Sequence, residues 1–494
     1  MTDARRAVVI GSGPSGAMAA VELVRKRIPT VMLESGTKRP TGALVRLAGR
    51  NVFRLDDPLE PAVEGFEATG DVNTGWTFNH ALGGLSNQWT GAVPRFAPAD
   101  FSEGERLHER YRWPLDYVDL APFYADAERH LDVSASPDDV PALPAGRPAH
   151  VRRLPRDWQA LATAALGRGQ GFTVLPLADG SPWLVARRGT AFNSFTAIVE
   201  GLQRSPLFEL RTGAHAVAAE WAGARRRIVA VVYHDRSSGG EVRLTADAVV
   251  VACGALHSAK LLFDSACADF PEGLGNTEGL LGRFLHDHPK EWWTFETDRP
   301  VRRLSPAGYL TRRPYETSSP LLATSWTLGL ASPRDRLLSL TPVPTHRVGV
   351  QVFGSMRPTA DRYVRPHRDK VDEFGRPQLE IAVEFAEDEV ANVIDSRDHL
   401  LTLMADAGYQ CRLDPVEPQL APGRAVHYGG TARMHRSRAH GVLNEWNRPF
   451  DVPNLIVTDA SCFTTNSEKN PTLTAMALSA RAARRLADDL KTGV

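Results

Sequence analysis

The chain is poor in cysteine, has no surplus of either charge, and lacks any long apolar run. Its 494 residues hold four cysteines, Cys253, Cys267, Cys411 and Cys462, far apart and without a CxxC pair. That argues against a disulfide framework or a structural zinc site and fits a reducing compartment. Lysine plus arginine (58) balances aspartate plus glutamate (58). Neither nucleic acid nor an anionic membrane is therefore expected as a partner. No apolar run reaches the roughly 18 residues that span a bilayer. The N-terminal MTDARRAVVIGSG enters a strand at once, without the apolar core of a secretory signal. A cytoplasmic protein is the expectation. Internal repeats and low-complexity tracts are missing as well.

What is present is a globular composition, 43% hydrophobic and 23% charged, on a chain too long for one ordinary core. Ala7 to Ile10 reads as a short apolar strand, followed by a glycine turn, a helix from about Gly16 to Arg27, and a second strand, PTVMLESG, ending at Glu34. This is a βαβ opening. The stretch from about Arg50 to Pro98 is rich in turns, and WPLDYVDLAPFYADAERHLDV carries helix signals with Asp119 as its cap. SPDDVPALPAGRPAH reads as an exposed loop. Strands return at FELRTGAHAVAAEW, RIVAVVYHD and ADAVVVACGA, the last apolar enough for a parallel sheet buried on both faces. Between about 291 and 419 the alternating segments RVGVQVFGSM and RPQLEIAVEFA point to an antiparallel sheet.

VVIGSGPSG places Gly11, Gly13 and Gly16 in the G-x-G-x-x-G spacing between a strand and a helix. Glu34 follows near the spacing of about 20 residues expected of a carboxylate that binds a ribose hydroxyl. Glycines let the backbone approach a pyrophosphate, whose charge the helix N-terminus stabilises. GGLSNQWTG, with Gly84, Ser86, Asn87 and Thr90, would suit a loop pressed against a large planar ligand. SEKNPTLTAMALSARAARRLADDL reads as a helix from Thr472 to Leu490, with Asn470 at the cap position and Pro471 at its start. Such a start is ready to meet an anion.

These motifs, together with VVVACGALHSAKLL and the block HYGGTARM…NLIVTDASCFTTNSEKNPTLTAMALSARAA, resemble the glucose–methanol–choline (GMC) FAD-dependent oxidoreductases. The C-terminal block is most similar to pyranose 2-oxidase and bacterial C-glycoside 3-oxidases. The resemblance implies an α/β fold: a Rossmann-like FAD-binding domain of the GMC/p-hydroxybenzoate hydroxylase kind, with a second antiparallel-sheet substrate domain. Residues 1–100, 200–290 and 420–494 would form the FAD domain, 101–199 a variable helical and loop insertion, and 291–419 the substrate domain. It also implies catalytic roles for His427, as base, and Asn470, as positioning group. Gly11, Gly13, Gly16, Glu34, Gly84, Ser86, Asn87, Thr90, Asp459, Pro471, Thr472 and the backbone around Val217 would hold FAD. By the same resemblance, the helix beginning at Thr472 would face the flavin's pyrimidine side, where negative charge develops on reduction. Gln88 occupies the position of the flavin-linking histidine of fungal pyranose oxidases, so FAD is expected to be non-covalent.

The activity implied is oxidation of a secondary hydroxyl of a pyranose or glycoside to a ketone, with oxygen or a quinone as acceptor. The alternative is an alcohol oxidase or dehydrogenase acting on an aminoglycoside or aminocyclitol; a lyase keeping FAD structurally and a non-catalytic FAD protein are more distant rivals. A monomer or small homo-oligomer is expected. HDHP, with His286 and His288, matches a family element near a domain crossing and is not expected to bind metal. Arg225–Arg227 reads as a solvated turn, and Trp292–Trp293 as core at a domain boundary.

Overall fold

Four consecutive small or branched side chains, Ala7–Ile10, are buried on both faces and form the middle strand of a five-stranded sheet. A strand buried on both sides needs no alternation, which is why it reads as an unbroken apolar run. Its neighbours are Thr30–Glu34 and Ala248–Val251; Phe208–Thr212 and Leu455–Val457 complete the edges, and every pairing is parallel. The computed structural model describes residues 5–37, 60–61, 66–69, 76–154, 156–178, 192–301, 308–314, 324–330, 345–414 and 420–492. Much of the turn-rich stretch between residues 50 and 98, and parts of 291–419, lie outside them.

The helix Pro14–Arg25 follows the first strand and packs along the C-terminal helix Thr472–Thr492. Both helices bury small residues, among them Ala17, Ala20, Ala480 and Ala483, and the Ser479 hydroxyl donates to the Ser15 carbonyl at 2.7 Å. A three-stranded antiparallel sheet, Ala214–Ala222, Arg227–Asp235 and Gly240–Thr245, packs against the parallel strands. Its first hairpin turns through Gly223–Arg225 and Arg226, where the exposed arginines lie.

A second core forms around six antiparallel strands in the order Cys411–Leu413, Lys290–Val301, Thr345–Gly354, Thr324–Leu330, Gly308–Leu310 and Phe172–Val174. The period of two explains both its faces. Val348, Val350 and Val352 join Trp293 and Phe295 beneath the helix Glu387–Asp406. The alternate residues Gln351 and Phe353 point the other way, into a cavity. Trp293 is fully buried whereas Trp292 is 44% exposed, so the two tryptophans part company across the sheet. Phe172–Val174, from within the expected insertion, is an edge strand of this sheet. Three residues are too few to show a period.

The helix Tyr117–Leu131 starts two residues earlier than the expected cap. Asp116 precedes it, and the Asp119 carboxylate accepts from the Asp116 backbone N–H at 2.9 Å. Among the described residues no helix is long and apolar enough to cross a membrane.

Candidate active site

The loop between the first strand and first helix opens a cavity of about 510 Å³ that runs from Glu34 to His427. Its three glycines are needed for three different reasons. Gly11 has φ 103°, and a Cβ there would lie 2.5 Å from the Ala252 carbonyl oxygen. Gly16 faces the Gly11 carbonyl so closely that a Cβ would stand 2.0 Å from it, so this glycine seats the helix on the strand and does not line the cavity. A Cβ on Gly13 would meet nothing within 4 Å and would fill the open cradle at the helix start. That cradle suits a pyrophosphate. Glu34 lines the same end; its carboxylate accepts from the Ser12 N–H (2.9 Å), the Ser12 hydroxyl (2.6 Å) and the Gly36 N–H (2.8 Å).

Gly84, Ser86, Gln88 and Thr90 line the middle of the cavity. Asn87 does not; it is buried behind them, donating to the Leu82 and Gly84 carbonyls and accepting from the Asn193 amide at 2.8 Å. Its role is to hold the loop. Val217 is also off the wall. It falls in a β-bulge and is buried, and the wall there is made by Ala214, His215 and Ala216. Asp459, just past the last parallel strand, accepts from the Gly254 N–H (3.1 Å), the Ser258 hydroxyl and the Ser461 N–H (2.8 Å). Pro471 and Thr472 line the cavity at the start of the C-terminal helix, whose first turn closes through Ala475 N–H to the Pro471 carbonyl.

His427 and Asn470, distant in sequence, meet at the far end. Asn470 Nδ2 lies 3.1 Å from His427 Nε2, so this amide faces the imidazole. His427 stacks on Phe353 with centroids 5.5 Å apart, and its Nδ1 lies 2.8 Å from His288 Nδ1. The tautomers follow from the partners. His288 Nε2 approaches the Asn466 carbonyl at 3.4 Å, which can only accept, so Nε2 carries the proton and His288 Nδ1 is an acceptor. His427 Nδ1–H must then donate to it, which leaves an unprotonated Nε2 facing the cavity. Burial, with His288 and Lys290 nearby, holds the His427 pKa well below its ordinary value. The Nε2 lone pair, which here accepts from the Asn470 amide, can accept a proton from a hydroxyl that takes the amide's place.

Three consecutive residues of HDHP support this arrangement. Buried Asp287 accepts from the backbone N–H groups of Gly423 (3.0 Å), Ala425 (3.2 Å) and His427 (2.9 Å). These bonds hold Val426 at φ 59°, a region that a branched residue rarely adopts. Burial pushes the Asp287 pKa up to about 6. His286 packs its ring where Gly429 and Gly430 leave room for no Cβ. His288 fixes the His427 tautomer. Among the described residues no group of three His, Cys, Asp or Glu side chains is placed to hold a metal.

Asp287, His288, Lys290, Gln351, Phe353 and Arg424 are thus the site residues that motif reading missed. HDHP was visible but carried no direction. The alternation in RVGVQVFGSM could have assigned Gln351 and Phe353 to the face opposite the valines.

Family models described as GMC oxidoreductase match residues 165–290 and 369–479. The 6'''-hydroxyparomomycin C oxidase of Streptomyces lividus is 27% identical over 98% of this chain and 91% of its own length. The C-glycoside 3-oxidase of Arthrobacter globiformis is 27% identical over 84% of this chain and 75% of its own. In fold, the crystal structure of pyridoxine 4-oxidase from Mesorbium loti is similar with a TM-score of 0.68 at 18% identity, covering 97% of this chain and 99% of that one.

Proposed function

Since the chain belongs to the GMC oxidoreductase family, FAD-dependent enzymes acting on CH–OH groups, we propose that it oxidises a secondary hydroxyl of a pyranose sugar or glycoside to a ketone. Oxygen or a quinone then takes the electrons. FAD would be held by the Gly13 cradle, Glu34, the Gly84–Thr90 loop, Asp459 and the start of the helix at Thr472, and when bound it supplies the acceptor for the hydride leaving the carbinol carbon. The hydroxyl proton passes to His427 Nε2. Asn470 gives the hydroxyl a second hydrogen-bonding partner and so sets which C–H bond is presented. Pro471 begins the helix without an N–H that would need a partner. Gln88 stands on the cavity wall, and an amide forms no bond to a flavin methyl group, so the cofactor is non-covalent.

The observation that carries this reading is His427 Nε2 facing the Asn470 amide at 3.1 Å, at the end of a cavity whose other end is a glycine cradle suited to a dinucleotide. The test is an anaerobic absorbance titration of the purified protein with glucose and with methyl β-glucopyranoside. Bleaching of the flavin band is expected, and acid precipitation should leave the yellow colour in solution. Recovery of the band in air would identify oxygen as the acceptor; failure of every sugar to bleach it would overturn the sugar reading. A second reading, oxidation of an aminoglycoside hydroxyl, is favoured by the similarity to the Streptomyces lividus oxidase across nearly the whole chain.

A further inference from the structure

Among the described residues, the side chains that bring charge to the substrate end of the cavity are cationic. Lys290, from the first residue of its strand, and Arg424, three residues before His427, both line it. Among the described residues, every carboxylate on the cavity wall belongs to the other end or to the cofactor cradle. Glu34 is bonded to the glycine loop, Asp459 to Gly254 and Ser258, and Asp264 to Lys260.

Lys290 is the more informative of the two cations. It pairs in register with Phe353 across the sheet, and its ammonium sits 5.8 Å from the centroid of that ring, the ring on which His427 stacks. Among the described residues it makes no ion pair. Two carboxylates lie within electrostatic reach, and neither answers it from the cavity side. Asp287 is turned to three backbone N–H groups, and Glu291, next along the strand, has the opposite facing and is not on the wall. Burial pulls the Lys290 pKa down from its usual value. A half-buried cation without a carboxylate partner is costly to keep, and a ligand anion would offset that cost.

Resting on the oxidoreductase reading above, we infer that Lys290, assisted by Arg424, is a specificity-determining residue that selects an alcohol bearing a carboxylate over the same alcohol bearing an ammonium group. The substrate class is then an acidic sugar such as a uronide, and a polycationic aminoglycoside is disfavoured. A cation beside the reacting hydroxyl repels ammonium groups and attracts carboxylates, which is how a site discriminates by charge.

The test uses the FAD-loaded enzyme at low ionic strength and pH 7.5, with three probes of the same ring: methyl β-glucopyranoside, methyl β-glucopyranosiduronate and methyl 6-amino-6-deoxy-β-glucopyranoside. The readout is the concentration dependence of anaerobic flavin bleaching, which separates apparent affinity from limiting rate. The uronide should bind about tenfold more tightly than the neutral glycoside and the amino sugar about tenfold more weakly, the size of one partly screened charge contact. Lys290→Gln should bring the three affinities together, whatever it does to the limiting rate, and Lys290→Arg should restore their order. Equal or tighter binding of the amino sugar by the natural enzyme, or an order that survives Lys290→Gln, would overturn the inference while leaving the sugar reading intact. If none of the three bleaches the flavin, the sugar reading fails and this inference falls with it.

Discussion

At His427 two neighbours act on one ring from opposite sides. His288 Nδ1 accepts the hydrogen bond from His427 Nδ1–H, and Asn470 faces the lone pair on Nε2. Burial then keeps the ring neutral, because its pKa is held well below 6.5. In the proposed role of base the ring must be unprotonated to act, so activity is expected to fall as pH drops through its pKa. The acid limb of the flavin-reduction rate should therefore lie below pH 6.5, where a free histidine would have placed it. His427→Ala should retain the bound-FAD spectrum and slow alcohol-driven bleaching by about 10²–10⁴-fold, the usual contribution of a positioned base. Unchanged bleaching in stopped-flow would exclude His427. His288→Phe removes the acceptor for Nδ1–H and frees the tautomer. It should slow bleaching while shifting the acid limb, whereas a merely structural loss would leave that limb in place. His427 and Asn470 were legible because they stand in distinctive strings, HYGGT and NPTLT. His288 was not, since HDHP reads the same whether its rings face a metal, a carbonyl or another histidine. Around Val217 the wall is made by Ala214, His215 and Ala216, because Val217 falls in a bulge and no sequence period announces a bulge.

The C-terminal helix illustrates the same contrast one level up. Its span was readable from composition, and the structure ends it at Thr492, two residues beyond the expected Leu490. What holds its start was not readable. Lys469, fully buried, bonds to Asp100 at 2.9 Å and to the neighbouring Glu468, while Arg312, just past the strand Gly308–Leu310 of the six-stranded antiparallel sheet, reaches the other Asp100 oxygen at 3.1 Å. Asp100 lies 369 residues away along the chain, so nothing local could reveal the pair. The cluster fixes the residue before Asn470 and ties it to both sheet systems. Burial alone would raise the Asp100 pKa, but Lys469 and Arg312 outweigh it and the pKa is lowered. Lys469→Met leaves buried carboxylates short of a partner and should cost about 3–5 kcal/mol of unfolding free energy, the range for breaking a buried pair. Urea unfolding checks the size, and Lys469→Met with Asp100→Asn should recover part of it. A loss below about 1 kcal/mol, typical of an exposed pair, would show the cluster to be solvated.

For the molecule as a whole, the parallel sheet could be anticipated from apolar runs scattered from Ala7 to Val457, because a buried parallel strand carries its signal in composition. The six-stranded antiparallel sheet could be anticipated only in its alternating strands, and its edge at Phe172–Val174 was too short to read. Where the two systems meet, the chain buries His286, Asp287 and His288 in succession, and this sets how stability follows pH. Burial lowers His286 to about 3 and His288 to about 4. In the unfolded chain both would take up protons below about pH 6.5. The unfolded state then binds more protons, so stability is full above that pH and falls as pH drops, by about 1.4 kcal/mol per pH unit for each histidine. Asp287, raised to about 6, has the opposite sign: the folded state takes its proton first, and this returns roughly one such slope between about pH 6 and 4. These three residues together give a decline of about 1.4 kcal/mol per pH unit across that interval, and His427, held well below its ordinary pKa by burial, and His399, lowered to about 4, steepen it. His215, lowered to about 4 by burial, acts in the same direction as the other histidines. Thermal unfolding from pH 8 to 5 at constant salt should show a plateau ending near pH 6.5 and a falling Tm below it. A flat Tm down to pH 5 would mean that these rings are already protonated or hydrated in the folded protein, and the neutral His288 on which the His427 tautomer depends would be lost with it.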